Sequence, residues 1–131
     1  AHFLSIPAVL IGFSTGLLSV AILSVNNLRD YAQDLKSGKK TPAVRFGKTF
    51  AKWEYAVSLY LALAGVPLLL VWHDPTVVLC LAVLLLCVPG HCLIKRVWVQ
   101  EGAILNQRLA DTGKLLLAFS IFFSALWIWS F

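Results

Sequence analysis

Four stretches of about 20 apolar residues, each the length that crosses a hydrocarbon core of about 30 Å, dominate this 131-residue chain. They run over residues 3–25, 55–72, 76–94 and 115–131, and the first is broken only by small hydroxyl residues and Pro7. A soluble domain carries roughly 25% charged residues, whereas this chain carries 13% and is 60% hydrophobic. The expectation is an all-α polytopic membrane protein: one membrane region over residues 1–131, with a polar segment at 26–54.

The cations set the expected orientation. Seven of the eleven Lys and Arg fall between Arg29 and Lys52 and four between Lys95 and Lys114, while the connection His73, Asp74, Pro75 has none. The positive-inside rule places both basic segments in the cytoplasm. No basic leader precedes Phe3, so the first stretch reads as a span and not as a cleaved signal. The chain starts at Ala1 and contains no Met. It is therefore expected to be the C-terminal part of a longer polypeptide whose N-terminal helices are missing, although deliberate residue choice would also remove Met.

The candidate chemistry lies just past the first span. Asn26, Asp30 and Asp34 are four residues apart, with Asn27 beside them, so a helix continuing beyond Val25 lines them up on one face. Two carboxylates at that spacing repel by a few tenths of a kcal/mol in an isolated helix. A hard divalent cation reverses the sign, because magnesium takes one or two carboxylates together with phosphate oxygens and water. Arg29, Lys36, Lys39, Lys40, Arg45 and Lys48 surround the stripe, and Ser37 and Gly38 mark a break where the chain turns back. Metal plus cations suit a departing diphosphate. Topology alone, or anionic lipid headgroups, would account for the cations but not for the paired carboxylates.

Two other signals are set aside. "SGKKT" lacks the first Gly and the spacing of a phosphate-binding loop, and no strand precedes it. Cys87 and His91 are four apart near Cys80 and Cys92, but small apolar Cys residues packed in a helix are the better reading. Pro89 and Gly90 are expected to bend that helix.

The segment "NNLRDYAQDLKSGKKTPAVRFGK", residues 26–48, resembles the second aspartate-rich motif of the UbiA superfamily of intramembrane prenyltransferases. It is most similar to the branch that prenylates 1,4-dihydroxy-2-naphthoate in menaquinone synthesis. A softer likeness runs from Gly102 through Leu117 and includes "LNQRLADTGKLLL". Pro42 departs from the family pattern, which usually has an apolar residue such as Leu there, and the first aspartate-rich motif is absent from this sequence.

The resemblance implies a bundle of about nine transmembrane helices, of which these four would be the C-terminal part. It also implies the reaction: Mg2+-assisted loss of diphosphate from a polyprenyl diphosphate and attack by an aromatic acceptor that loses carbon dioxide. Asp30 and Asp34 would be the catalytic, metal-binding pair with Asn26, and Arg29, Lys36, Lys40 and Arg45 the diphosphate contacts. The implied partners are polyprenyl diphosphate, a dihydroxynaphthoate-type acceptor, the lipid bilayer of a bacterial inner membrane and the missing helices; no nucleic acid is expected. On this reading the fragment alone is inactive.

Alternatives are another aromatic acceptor within the superfamily, or a non-catalytic membrane subunit whose basic loop binds lipid. Asn106 and Arg108 either close over the site from the second basic segment or merely end a helix. Glu54 either pairs with Lys52 or Arg45 or marks the interface. The five Trp residues are expected in the aromatic belts at the span ends.

Overall fold

The computed structural model describes the backbone of residues 6–70 and 77–130 and, within these, the side chains outside residues 7, 66–84, 126–127 and 129–130. The expected turn at His73, Asp74 and Pro75, the flanks of the apolar stretches at Phe3, Trp72 and Phe131, and the side chains of Cys80, Trp127 and Trp129 lie outside the described residues.

Four long helices carry the chain: α1 (Ile6–Arg29), α4 (Lys48–Leu70), α5 (Val77–Val99) and α6 (Leu105–Ser130). Two short ones, α2 (Tyr31–Lys36) and α3 (Pro42–Phe46), lie between α1 and α4, and one 3-10 turn at Gly102–Ile104 precedes α6. No strand occurs among the described residues. One helix, over Ala8–Arg29, is long and apolar enough among the described residues to cross a membrane.

The long helices close into a four-membered bundle: α1 packs on α4 and α6, and α5 packs on α4 and α6. Each contributes a stripe at helical spacing. Ser14, Leu18, Ala21, Val25 and Leu28 of α1 face Tyr55, Leu59, Ala62 and Leu63 of α4 and Leu105, Thr112, Leu115 and Phe119 of α6 in one buried core. Small residues allow the close approaches: a Cβ on Gly65 would collide with the Ser14 hydroxyl, and one on Gly90 would lie 2.5 Å from Leu63 Cδ1. Pro89 and Gly90 sit inside α5, which runs unbroken through them. Gly90 has a clear packing reason to be small.

Hydroxyl side chains of α1 bond locally. Thr15, Ser19 and Ser24 donate to carbonyls three or four residues back at 2.9–3.1 Å. The Thr112 hydroxyl donates to the Arg108 carbonyl at 2.7 Å, which leaves its oxygen to accept from Tyr55 Oη at 3.0 Å across the core. Outward, Phe13, Leu23, Leu61, Leu85, Leu117, Ile121 and Ile128 are all exposed. So many exposed large apolar side chains suit lipid or protein contact better than water.

The two basic segments are less loop-like than their charge suggested. Lys95 and Arg96 belong to the last turn of α5, Arg108 and Lys114 to the first half of α6, and Lys48 and Lys52 open α4. These ends meet: Lys48 and Lys52 reach Glu101 at 2.7 and 3.5 Å, and Lys52 donates to the Trp98 carbonyl at 2.9 Å. The charged termini of all four long helices therefore share one end of the bundle.

Candidate functional site

The stripe survives the boundary between α1 and α2. The Asp30 amide donates to the Asn26 carbonyl at 3.0 Å and the Asp34 amide to the Asp30 carbonyl at 2.8 Å, so helical bonds link all three stripe residues. Asp34 is buried, whereas Asp30 and Asn26 are half-buried.

Around Asp30 the structure builds a tight polar cluster. Arg29 grips the carboxylate bidentately, Nε to Oδ1 and Nη2 to Oδ2, each at 2.7 Å. The same Nη2 donates to Asn26 Oδ1 at 2.8 Å, and Nη1 donates to Asn106 Oδ1, from the start of α6, at 2.9 Å. This bonding to Arg29 holds the Asp30 carboxyl below the usual carboxylate range, against the opposing effect of burial.

Asp34 is served by a different cation from those anticipated. α2 ends in a Schellman-type reversal: the Lys39 amide donates to the Asp34 carbonyl at 3.0 Å and the Gly38 amide to the Leu35 carbonyl at 3.4 Å. Gly38 takes φ +72°, where L side chains are strained. The reversal lays Lys39 back on Asp34, with Nζ 3.2 Å from Oδ1. Lys36 and Lys40 are exposed and form no ion pair among the described residues. Arg45 is exposed with its guanidinium 5.8 Å from the Phe46 ring centre. Of the four cations proposed for diphosphate, the structure brings only Arg29 to a carboxylate of the stripe.

Beyond the reversal, Thr41 caps α3 by accepting from the Val44 amide at 3.4 Å. Pro42 stands at the first helical position, where its missing N–H costs nothing, so this departure from the family pattern is locally well placed. Gly47, at φ +92°, ends α3, and its carbonyl accepts from the Ala51 amide at the start of α4. Lys48 is thereby held with Nζ 5.4 Å from the Tyr31 ring centre.

Outer residues find their own partners. Glu54 pairs with neither Lys52 nor Arg45 among the described residues; its Oε2 lies 2.8 Å from the Ser24 hydroxyl on α1. Glu101, absent from the candidate set, takes the ion pairs of Lys48 and Lys52, and the bond from Lys48 lowers its carboxyl from the ordinary value. Arg108 is buried, donates to Asp111 at 3.0 Å and Gln107 at 3.1 Å, and keeps Nε unpartnered. His91 bonds the Tyr60 hydroxyl through Nδ1 at 2.7 Å, an aromatic pair and not a thiol site.

The donor set suits a hard cation. No group of three or more His, Cys, Asp or Glu side chains gathers among the described residues. What the site offers is oxygen: two carboxylates and an amide. Asn26 Oδ1 and Asp30 Oδ2 already converge within 2.8 Å of one cationic nitrogen, so a positive centre belongs where they point.

Comparison with known proteins identifies the family. The UbiA prenyltransferase family matches residues 1–110. A relative from Haemophilus influenzae named 1,4-dihydroxy-2-naphthoate octaprenyltransferase is 48% identical over 46 residues, 35% of this chain and 15% of that protein. Its namesake from Escherichia coli is 41% identical over 59 residues, 45% of this chain and 19% of that protein. The aligned segments thus span less than a fifth of either relative. No solved structure matches. With the match running over most of its length, the chain belongs to the UbiA prenyltransferase family.

Proposed function

We propose that this chain forms part of a membrane prenyltransferase. The enzyme moves a polyprenyl group from polyprenyl diphosphate to 1,4-dihydroxy-2-naphthoate, releasing diphosphate and carbon dioxide. The observation that carries this reading is the convergence of Asn26 and Asp30 oxygens on a single positive centre beside Asp34, in a chain of this family. Bound magnesium would supply charge neutralisation for the leaving diphosphate. Asn26, Asp30 and Asp34 would orient it, and Arg29 would bind phosphate oxygens through its planar fork. Lys36, Lys40 and Arg45, exposed on the same segment, would add positive potential around the diphosphate.

The four long helices, with their apolar residues turned outward, are proposed as four membrane spans in one membrane region, basic end toward the cytoplasm of a bacterial inner membrane. A groove of about 480 Å3 between α1 and α6, lined by Ile11, Thr15, Phe123 and Ile128 among others, would take isoprenoid units. Thr15 lies fifteen residues from Asp30, about 22 Å along a helix, so a long tail would reach it from the site. The two octaprenyl-transferring relatives support a tail of that class.

The test is substitution in the full natural chain. Asp30→Asn and Asp34→Asn are each expected to lower magnesium-dependent prenyl transfer at least a hundredfold, about 3 kcal/mol or more of lost transition-state stabilisation. Membrane insertion should be unchanged. Turnover near that of wild type in both variants would refute the assignment.

A further inference from the structure

Arg29 stands where a cation would otherwise be held. Four of its five N–H donors are committed: two to Asp30, one to Asn26 and one to Asn106. Three of the four acceptor atoms belong to the proposed metal ligands. Asp30 and Asn26 cannot give the same oxygens to Arg29 and to a divalent ion, because the guanidinium repels a second positive charge at that range. Among the described residues, the only ion pair of Arg29 is with Asp30. Removing Arg29 with nothing to receive it would strand a partly desolvated guanidinium and break a bidentate, charge-assisted pair. A diphosphate is the acceptor that matches the fork as well as a carboxylate does.

We propose that Arg29 is a charge placeholder in this site, secured from α6 by Asn106, and that it yields Asp30 and Asn26 only when a diphosphate is present to take it. The inference rests on the prenyltransferase reading above and deepens it. The species recognised is a cation already chelated to diphosphate, not a metal ion that binds first. Asn106 bonds Arg29, acts through it and is a positioning residue. It also ties the start of α6 to the motif, since Asn106, 77 residues downstream, is bonded to Arg29.

The proposal is tested by Mn2+ binding, followed by electron paramagnetic resonance on the full natural chain without diphosphate. Arg29→Lys keeps the charge but loses the fork, and should tighten Mn2+ binding about tenfold, the scale of one lost charge-assisted pair. Asn106→Ala should tighten it by about threefold, since one of four anchoring bonds is removed. The double variant should match Arg29→Lys alone, because Asn106 acts only through the fork. Wild-type Mn2+ affinity in both single variants overturns the placeholder. Asp30→Asn measured with diphosphate added, the condition under which wild type is expected to hold Mn2+, separates the two levels. If it keeps wild-type binding, the metal reading itself falls. If it loses binding while Arg29→Lys and Asn106→Ala stay at the wild-type value, the placeholder alone falls.

Discussion

At the residue scale, the pair Arg29–Asp30 governs how the polar end responds to pH. The Asp30 carboxyl titrates below its ordinary value when folded, so on acidification the unfolded chain takes up the proton first. The pair's contribution is therefore complete above the unfolded carboxylate range, near pH 4, and is lost as pH falls through the lowered folded value. With both side chains about a quarter to a third exposed, at 25% and 31%, the contribution is about 1 kcal/mol. Thermal unfolding of wild type and Asp30→Asn should differ by a constant amount from pH 7 to 5, and the gap should close below pH 4. The stripe itself was legible, because four-residue spacing survives any helical path from Asn26 to Asp34. The choice of Lys39 over Lys36 and Lys40 was not. Spacing alone cannot show that a reversal at Gly38 turns only Lys39 back on Asp34.

At the element scale, that reversal is the fragile part. Gly38→Ala would force a Cβ into a left-handed conformation at a cost of about 1 kcal/mol and loosen the contact between Lys39 and Asp34. Amide hydrogen exchange at Lys39, whose N–H donates to the Asp34 carbonyl, should accelerate relative to wild type, with exchange in the core of α1 unaffected. Helix identity was easy to anticipate from apolar run length, and helix ends were not. The helix was expected to continue past Val25 and the chain to turn back at Ser37 and Gly38. Continuous bonding from Asn26 through Asp34 agrees with the first point, while the short helix capped by Thr41 beyond the break was not anticipated.

At the scale of the whole molecule, the bundle depends on where backbones come close. Gly90→Val would drive side-chain atoms into Leu63 and Leu115 and should cost about 1–3 kcal/mol by overpacking. Gly113→Ala, with nothing within 4 Å of the added carbon, should instead gain about 0.5–1 kcal/mol from helix propensity. Thermal midpoints in detergent should move in opposite directions for the two variants. Which helices neighbour one another could not be read from the sequence, since outward and inward Leu are chemically alike; the bonds Arg29–Asn106 and Tyr55–Thr112 join residues 77 and 57 apart. One further contact between helices has a practical consequence. The Trp53 and Trp98 rings meet edge to face, 5.0 Å between centres, where α4 and α5 come together beside the site. Two indoles so close share their excited states, so the pair carries an exciton signature in circular dichroism. The protein thus contains a label-free optical gauge of whether these two helices stay closed.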